Sequence, residues 1–215
     1  MHPVRAFEEP DRRRLEALAA ARGFAVIFAD SAGRPVAAHA PVLLSPVLLG
    51  KTSLRFHLSA NNALCAALAD GVRALAVVTG PDAYVSPDWY AATDQVPTWN
   101  YVSLEAEGPV RVMRRGETAV LLDDLAAHFE AALAPKPPWT RAKMTPARFE
   151  AMLGAIIGYE MAVERLAGTT KLSQNKPADE RARVARALAE RPGDGSHRIA
   201  ALMDAEARPI RAESP

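Results

Sequence analysis

The apolar and polar positions of the first 80 residues follow the period of a helix and then those of short strands. Leu15, Leu18 and Ala19 share one helical face, and Gly23 provides a stop after them. The later apolar, β-prone runs are separated by turn residues, as in strands. The predicted elements are a helix over 11–22, a hairpin of strands 24–29 and 35–44, a loop that includes 47–50, a strand over 54–58, a short helix capped by Asn61 or Asn62 and ending before 71, and a strand over 72–79.

Apolar and polar residues alternate strictly over residues 101–107. Val102, Leu104 and Ala106 fall on one face, which predicts a strand with one buried side. The strand is expected to continue to 113 after a bulge at 108–109, where Gly and Pro occur together.

Helical periodicity follows this strand, and a break at 134–138 ends the first helix. That helix, over 117–133, is predicted to turn four apolar side chains inward: Val120, Leu121, Leu125 and Phe129. The remaining predicted elements are a helix over 146–154, a last strand over 156–166 and helices over 178–191 and 196–207. Because the character of the chain changes after Pro177, we expect a main domain over 1–177 and a helical appendage over 178–215.

The composition is that of an ordinary globular protein: 215 residues, 49% hydrophobic, 24% charged and a formal net charge of +1. That balance argues against a strongly basic nucleic-acid-binding domain, so DNA binding has little support. The apolar runs are strand-length, which predicts no membrane span. The first residues mix acids and bases and lack the apolar core of a secretory signal, so a cytoplasmic location is expected. The single cysteine, Cys65, lies in an apolar pattern that favours a buried, inert thiol.

Two segments carry the residues with the most chemical information. Residues 80–101, GPDAYVSPDWYAATDQVPTWNY, concentrate Trp, Tyr and Pro, which predicts a rigid aromatic wall for a flat ligand or a partner. Residues 171–176, KLSQNK, bring together cations, a hydroxyl and amides. The alternative is a purely structural role, in which Trp89, Tyr90 and Trp99 close a barrel end or form a subunit contact.

The order GPxAYxSPxWY, VPTWNY and KLSQNK resembles the PaiB-like FMN-binding negative transcriptional regulators. The resemblance runs over residues 2–176 and implies an antiparallel α+β fold, the flavin-binding split β-barrel of the pyridoxamine-phosphate-oxidase type, here with a C-terminal helical extension. It also implies an FMN cofactor and a homodimer with flavin at the subunit interface. No catalytic residue and no metal ligand are predicted, because no nucleophile signature or metal-ligand spacing is present.

The resemblance assigns flavin contacts to both halves of the chain. AAHAPVLL (37–44) and FHLSANN (56–62) look like the flavin-contacting strands of the family, and KLSQNK offers partners for a phosphate. Trp99 is expected to cover the ring, with Thr98 and Asn100 at its edge. The candidate cofactor-binding residues are His39, His57, Ser59, Asn61, Asn62, Thr98, Trp99, Asn100, Lys171, Ser173, Gln174 and Asn175.

One segment departs from the family. HLSANNA (57–63) lacks the arginine that relatives have there, so Lys171, Arg34 or Arg55 would have to replace its phosphate contact; otherwise FMN is held weakly or the ligand is another anion. The expected function is FMN binding with a transcriptional-regulatory or redox-sensing role. The alternative is a flavin-dependent oxidoreductase that takes hydride from a nicotinamide donor, which would bleach the flavin absorbance.

Overall fold

The computed structural model describes residues 3–46 and 52–207, which form a seven-stranded sheet and five α-helices. The predicted loop at 47–50 lies outside the described residues. The helices are α1 (Arg12–Arg22), α2 (Arg115–Ala131), α3 (Pro146–Leu153), α4 (Ala178–Ala189) and α5 (Asp194–Ala207). The strands are β1 (Phe24–Ser31), β2 (Arg34–Pro46), β3 (Thr52–Ser59), β4 (Arg73–Val85), β5 (Thr98–Val112), β6 (Ile156–Val163) and β7 (Arg165–Lys171).

The sheet is antiparallel and has the strand order β4-β1-β2-β3-β6-β5-β7. An additional pairing between β4 and β5 joins six of the strands in a closed ring, which leaves fewer free edges. The predicted β1–β2 hairpin is confirmed. Its turn uses Ala32 and Gly33 at φ 54° and 80°, and Asp30 accepts a hydrogen bond from the Gly33 N–H over 2.8 Å.

The described chain divides into two compact units. The second unit, residues 12–46, 52–78 and 105–166, contains β1–β3, β6 and α1–α3. Its fully buried side chains include Ile27, Leu54 and Phe56. At Gly158, a Cβ would lie 2.4 Å from the Thr118 hydroxyl oxygen, so glycine is required for β6 to approach α2 this closely.

The first unit comprises residues 3–11, 79–104 and 167–207. Its core joins the ends of β4 and β7 to both C-terminal helices through the buried side chains Ala83, Val85, Tyr90, Leu172, Val184, Ala185, Leu188, Ile199, Ala200 and Met203. The helices predicted after residue 177 therefore supply much of this core. No described helix is long and apolar enough to span a membrane. The domain boundary at Pro177 stays a prediction.

The structure corrects three expectations. Leu121 and Leu125 are buried in α2, but Val120 and Phe129 are 53% and 39% exposed, so the predicted apolar face was too wide. The strand expected over 156–166 is two strands, β6 and β7, separated at residue 164. Cys65 is only partly buried, and its thiol donates to the Ser59 carbonyl oxygen over 3.3 Å.

Candidate functional site

The first unit contains a cavity of about 320 Å³ beside the turn that follows β7. Its walls come from the N-terminal segment, the loop before β5, and the KLSQNK turn. The lining residues are Val4, Phe7, Tyr90, Asp94, Gln95, Val96, Thr98, Lys171, Ser173, Asn175 and Lys176. Four of the predicted cofactor-binding residues, Thr98, Lys171, Ser173 and Asn175, therefore line one cavity.

The KLSQNK turn is held by its own side chains. Ser173 is buried at a φ of 59°, a left-handed conformation that is uncommon for residues other than glycine. Gln174 stabilises the turn on both sides, because its side-chain oxygen accepts from the Leu172 N–H over 2.7 Å and its amide donates to the Thr170 carbonyl. The Gln174 side chain thus shapes the turn.

Lys171 enters the cavity from the end of β7. Its ammonium donates hydrogen bonds to the Trp99 backbone oxygen over 2.8 Å and to the Thr98 hydroxyl, and it lies 5.7 Å from the centre of the Phe7 ring. Burial lowers the pKa of Lys171, because the charged form loses hydration. No described carboxylate lies within ion-pair distance of this ammonium.

Lys176 brings a second cation to the same cavity. Its ammonium donates to the side-chain oxygen of Gln95 and lies 4.9 Å from the centre of the Tyr90 ring. Within the described part of the chain it also has no carboxylate partner. Asp94 is the acidic residue in the cavity wall, so the lining carries two positive charges against one negative charge.

A buried polar cluster supports the floor of the cavity. The Ser173 hydroxyl lies 3.2 Å from the Tyr90 hydroxyl and accepts a hydrogen bond from the Asn100 amide over 3.1 Å. Asn100 is fully buried, and its amide also contacts the Met203 sulfur at 3.5 Å. Because its polar atoms are engaged within the fold, Asn100 positions Ser173 rather than facing the cavity.

Trp99 differs from its neighbours on β5, because its side chain is 53% exposed. Its ring meets that of Tyr84 edge to face, with centroids 6.1 Å apart. The alternating pattern of the strand explains this, since Asn100 points into the core and Trp99 points out. An exposed pair of aromatic rings therefore lies on the first unit.

In the second unit, the predicted residues have separate environments. His39 is exposed and stacks on Phe24 with ring centres 6.0 Å apart. Asn62 caps the short helix of residues 63–67 by accepting from the Leu64 N–H over 2.9 Å, as predicted. Ser59 and Asn61 are exposed.

His57 is a predicted site residue whose side chain is partly buried. Its Nδ1 is buried without a hydrogen-bond partner among the described residues, and burial lowers the pKa of the ring. It lines a cavity of about 250 Å³ in the second unit. The sequence singled out His57 but not this cavity, whose other walls come from residues far apart along the chain.

Arg55 was a candidate replacement for the arginine that the family has in residues 57–63. Its guanidinium instead donates to Asp124 on α2 over 2.9 Å. This ion pair neutralises Arg55 within the second unit, whereas Lys171 has no carboxylate partner among the residues that the structure describes. Phe7, Tyr90 and Gln95 are cavity residues that the sequence assigned to no cofactor contact; Tyr90 and Gln95 lie inside the aromatic segment, which was the available signal.

Comparison with known proteins places the chain in a family. Residues 1–165 match the family described as "Putative FMN-binding domain". The chain belongs to this FMN-binding family. The PAI 2 protease synthase and sporulation protein of Bacillus subtilis strain 168 is 29% identical over 130 residues, which cover 60% of this chain and 61% of that protein. The predicted PaiB-like resemblance is thereby confirmed.

A fungal relative, an uncharacterized protein of Aspergillus fumigatus, is 33% identical over 116 residues, 46% of this chain and 44% of that protein. The chain thus spans less than two thirds of the length of these curated relatives.

Two solved structures show the fold. The FAD and heme binding protein from Mycobacterium smegmatis superposes with a TM-score of 0.57 at 22% identity, covering 81% of this chain and 78% of that one. The flavocytochrome Anf3 from Azotobacter vinelandii gives 0.58 at 13% identity, covering 80% and 72%. The predicted antiparallel α+β fold of the flavin-binding split-barrel type is confirmed.

Proposed function

We propose that this chain binds FMN and that the cavity beside Lys171 and Lys176 holds the phosphate group. Membership of the FMN-binding family supports the cofactor. The observation that carries the assignment of the phosphate is the pair of ammonium groups that line one cavity without a described carboxylate partner.

A phosphate dianion fits these residues electrostatically. Burial removes water from the Lys171 ammonium and so lowers its pKa, and no described carboxylate offsets this loss of hydration. A bound phosphate would give the ammonium groups of Lys171 and Lys176 a negatively charged hydrogen-bond acceptor, and the Thr98 hydroxyl in the cavity wall would be a further donor. When bound, FMN would supply redox chemistry; the chain's own residues bind and orient it.

The cavity volume limits how much of FMN this unit can enclose. About 320 Å³ is near the lower end of the range for small-molecule sites, roughly 300–1,000 Å³. We propose that it takes the phosphate and part of the ribityl chain, while the exposed Trp99 and Tyr84 rings offer a surface for the isoalloxazine ring. A second copy of the chain would cover that surface, so the proposed assembly is a cytoplasmic homodimer with flavin at its interface.

The proposed biological role is transcriptional regulation or redox sensing. It is supported by the similarity to PAI 2, and it requires that oxidised and reduced flavin stabilise different states of the protein. Sedimentation of the FMN-loaded protein, oxidised and after anaerobic photoreduction, measures this. A change in association with flavin oxidation state supports sensing; identical profiles, together with rapid bleaching by a nicotinamide donor, would favour the oxidoreductase alternative.

FMN binding is tested by visible absorption after incubation with FMN and desalting. The wild type is expected to retain flavin, and Lys171→Met should lose it because a shape-similar, uncharged side chain removes the cation. Lys143→Met is the matched control, since Lys143 is exposed in the second unit. Equal retention by both variants would refute the phosphate assignment, and no retention by the wild type would refute FMN binding.

A further inference from the structure

The 250 Å³ cavity of the second unit lies among α2, α3 and the segment that joins them. Most of its wall is apolar, and three side chains in it are ionisable. The lining residues are His57, Leu122, Asp123, Trp139, Arg141, Met144, Phe149, Met152, Leu153 and Ile156. None of these residues lines the 320 Å³ cavity that contains Lys171 and Lys176, which we call the lysine cavity, so this is a separate site.

The cavity is held open by contacts that are independent of any ligand. The Glu130 carboxylate accepts from the Trp139 N–H over 2.8 Å and from the Lys136 ammonium, which fixes the segment that carries Trp139. Arg115 donates to the Glu150 carbonyl oxygen over 2.8 Å and so ties α3 to α2. Preformed walls of this kind are typical of small-molecule sites.

His57 gives the cavity one hydrogen-bonding group. The Nδ1 of His57 is buried and has no hydrogen-bond partner among the described residues. Desolvation lowers the pKa of the ring and so favours neutral imidazole, which always offers one donor and one acceptor nitrogen. Buried polar groups in proteins are normally paired, so the Nδ1 is available to hydrogen-bond a ligand in the cavity.

The charges at the cavity cancel. Arg141 forms an ion pair with Asp123 at 3.2 Å, and its guanidinium lies 5.2 Å from the centre of the Phe149 ring. The ion pair leaves no surplus charge to attract an anion or a cation. Aromatic and thioether side chains make up much of the remaining wall, and such groups pack well against aromatic rings.

We propose that this cavity binds a small uncharged phenol, with its ring against Trp139 and Phe149 and its hydroxyl hydrogen-bonded to His57. The size agrees, because a cavity of roughly 150 Å³ holds benzene and this one has room for a ring with a short substituent. It is below the roughly 300 Å³ at which drug-sized sites begin. This ligand is distinct from FMN and does not depend on the lysine cavity.

The test is calorimetric titration of the full chain, in saturating FMN, with 4-ethylphenol and with ethylbenzene, which lacks only the hydroxyl. The wild type should bind both saturably and prefer 4-ethylphenol. His57→Phe replaces the imidazole with an aromatic ring that has no polar atoms, so affinity for 4-ethylphenol should fall about 3- to 10-fold, as for one lost hydrogen bond, while ethylbenzene still binds. His197→Phe, an exposed histidine of the first unit, should behave as the wild type.

A second variant keeps the proposal falsifiable if His57→Phe fails to fold. Met152→Trp places a bulky ring at a 52% exposed position of the cavity wall and should abolish binding of both compounds. The proposal is overturned if the wild type shows no saturable binding, or if His57→Phe lowers the affinities for both compounds equally. It is also overturned if FMN is released in proportion to the amount of 4-ethylphenol bound. In that last case the cavity would belong to the flavin site.

Discussion

The ammonium group of Lys171 donates a hydrogen bond to the backbone oxygen of Trp99 over 2.8 Å. The contact uses the main chain of Trp99, while its indole ring points outward and is 53% exposed. The adjacent strands β7 and β5 therefore bring the Lys171 ammonium close to Trp99. The position of the ammonium does not depend on the indole side chain, because the hydrogen bond that Lys171 donates to Trp99 uses only the main chain. The phosphate and ring contributions to flavin binding can thus be separated by mutation.

The first prediction follows from the left-handed conformation of Ser173. Ser173→Ala removes a buried hydroxyl that serves both Tyr90 and Asn100, and should lower the free energy of unfolding by about 1–3 kcal/mol. Ser173→Gly loses the same hydroxyl but relieves the strain at φ 59°, so it should be less destabilised than the alanine variant by about 1 kcal/mol. Urea unfolding measures both; a glycine variant less stable than the alanine variant would contradict the strain at this position.

The C-terminal helices provide a second prediction. Leu188 on α4 is fully buried in the core shared with Val85 and Leu172, so Leu188→Ala should cost about 2–5 kcal/mol of stability. Leu202→Ala on α5 is the matched control, because that side chain is 36% exposed and should cost much less. Thermal unfolding compares the two. If both variants lost similar amounts of stability, burial of Leu188 in this core would not be what stabilises the first unit.

Acid should weaken the second unit through Glu117. Hydrogen bonds from the Arg111 side chain and from Arg114 lower the pKa of Glu117 to about 2. The unfolded state therefore takes up the proton first, so this contribution is complete above pH of about 4.5 and is lost as the pH falls towards 2. The Glu117 side chain is only partly buried and remains in contact with solvent, so the effect should be small and weakened by salt.

Glu117→Gln provides the control for this pH dependence. The variant lacks the ionisable group, so the stability difference from the wild type should be present at pH 6 and shrink as the pH falls below the unfolded-state value. Urea midpoints at several pH values measure it. A difference that is constant with pH would mean that Glu117 contributes by packing alone.

The sequence predicted local structure well where a single residue type determines the backbone. Gly23 ends α1, Ala32 and Gly33 form the hairpin turn, and Asn62 caps the short helix of residues 63–67. The split between β6 and β7 was missed because residue 164 is Glu, which is no turn signal; its N–H bonds to the Glu107 carbonyl oxygen at 2.9 Å, a tertiary contact. Phe129 was assigned to the core by periodicity, yet its ring is partly exposed where it lies over Gly23, within 2.2 Å of where a Cβ there would be.

The candidate site was predictable in part for similar reasons. Lys171, Ser173 and Thr98 were found because they lie in unusual motifs, and the structure places them in one cavity. The roles of Asn100 and Gln174 could not be read from the sequence, since both residue types serve equally well as ligand donors or as buried supports. Phe7 was missed because its approach to Lys171 depends on a contact between segments more than 160 residues apart in the chain.

The most direct test of the phosphate assignment compares the affinities of FMN and riboflavin, which differ only by the phosphate. The wild type should bind FMN roughly 10- to 100-fold more tightly, as expected for charge-assisted hydrogen bonds. The double variant Lys171→Met/Lys176→Met should bind both flavins alike, at the affinity that the wild type has for riboflavin, whereas Lys143→Met keeps the preference. A double variant that still prefers FMN as strongly as the wild type would show that the phosphate is held elsewhere and would contradict the account.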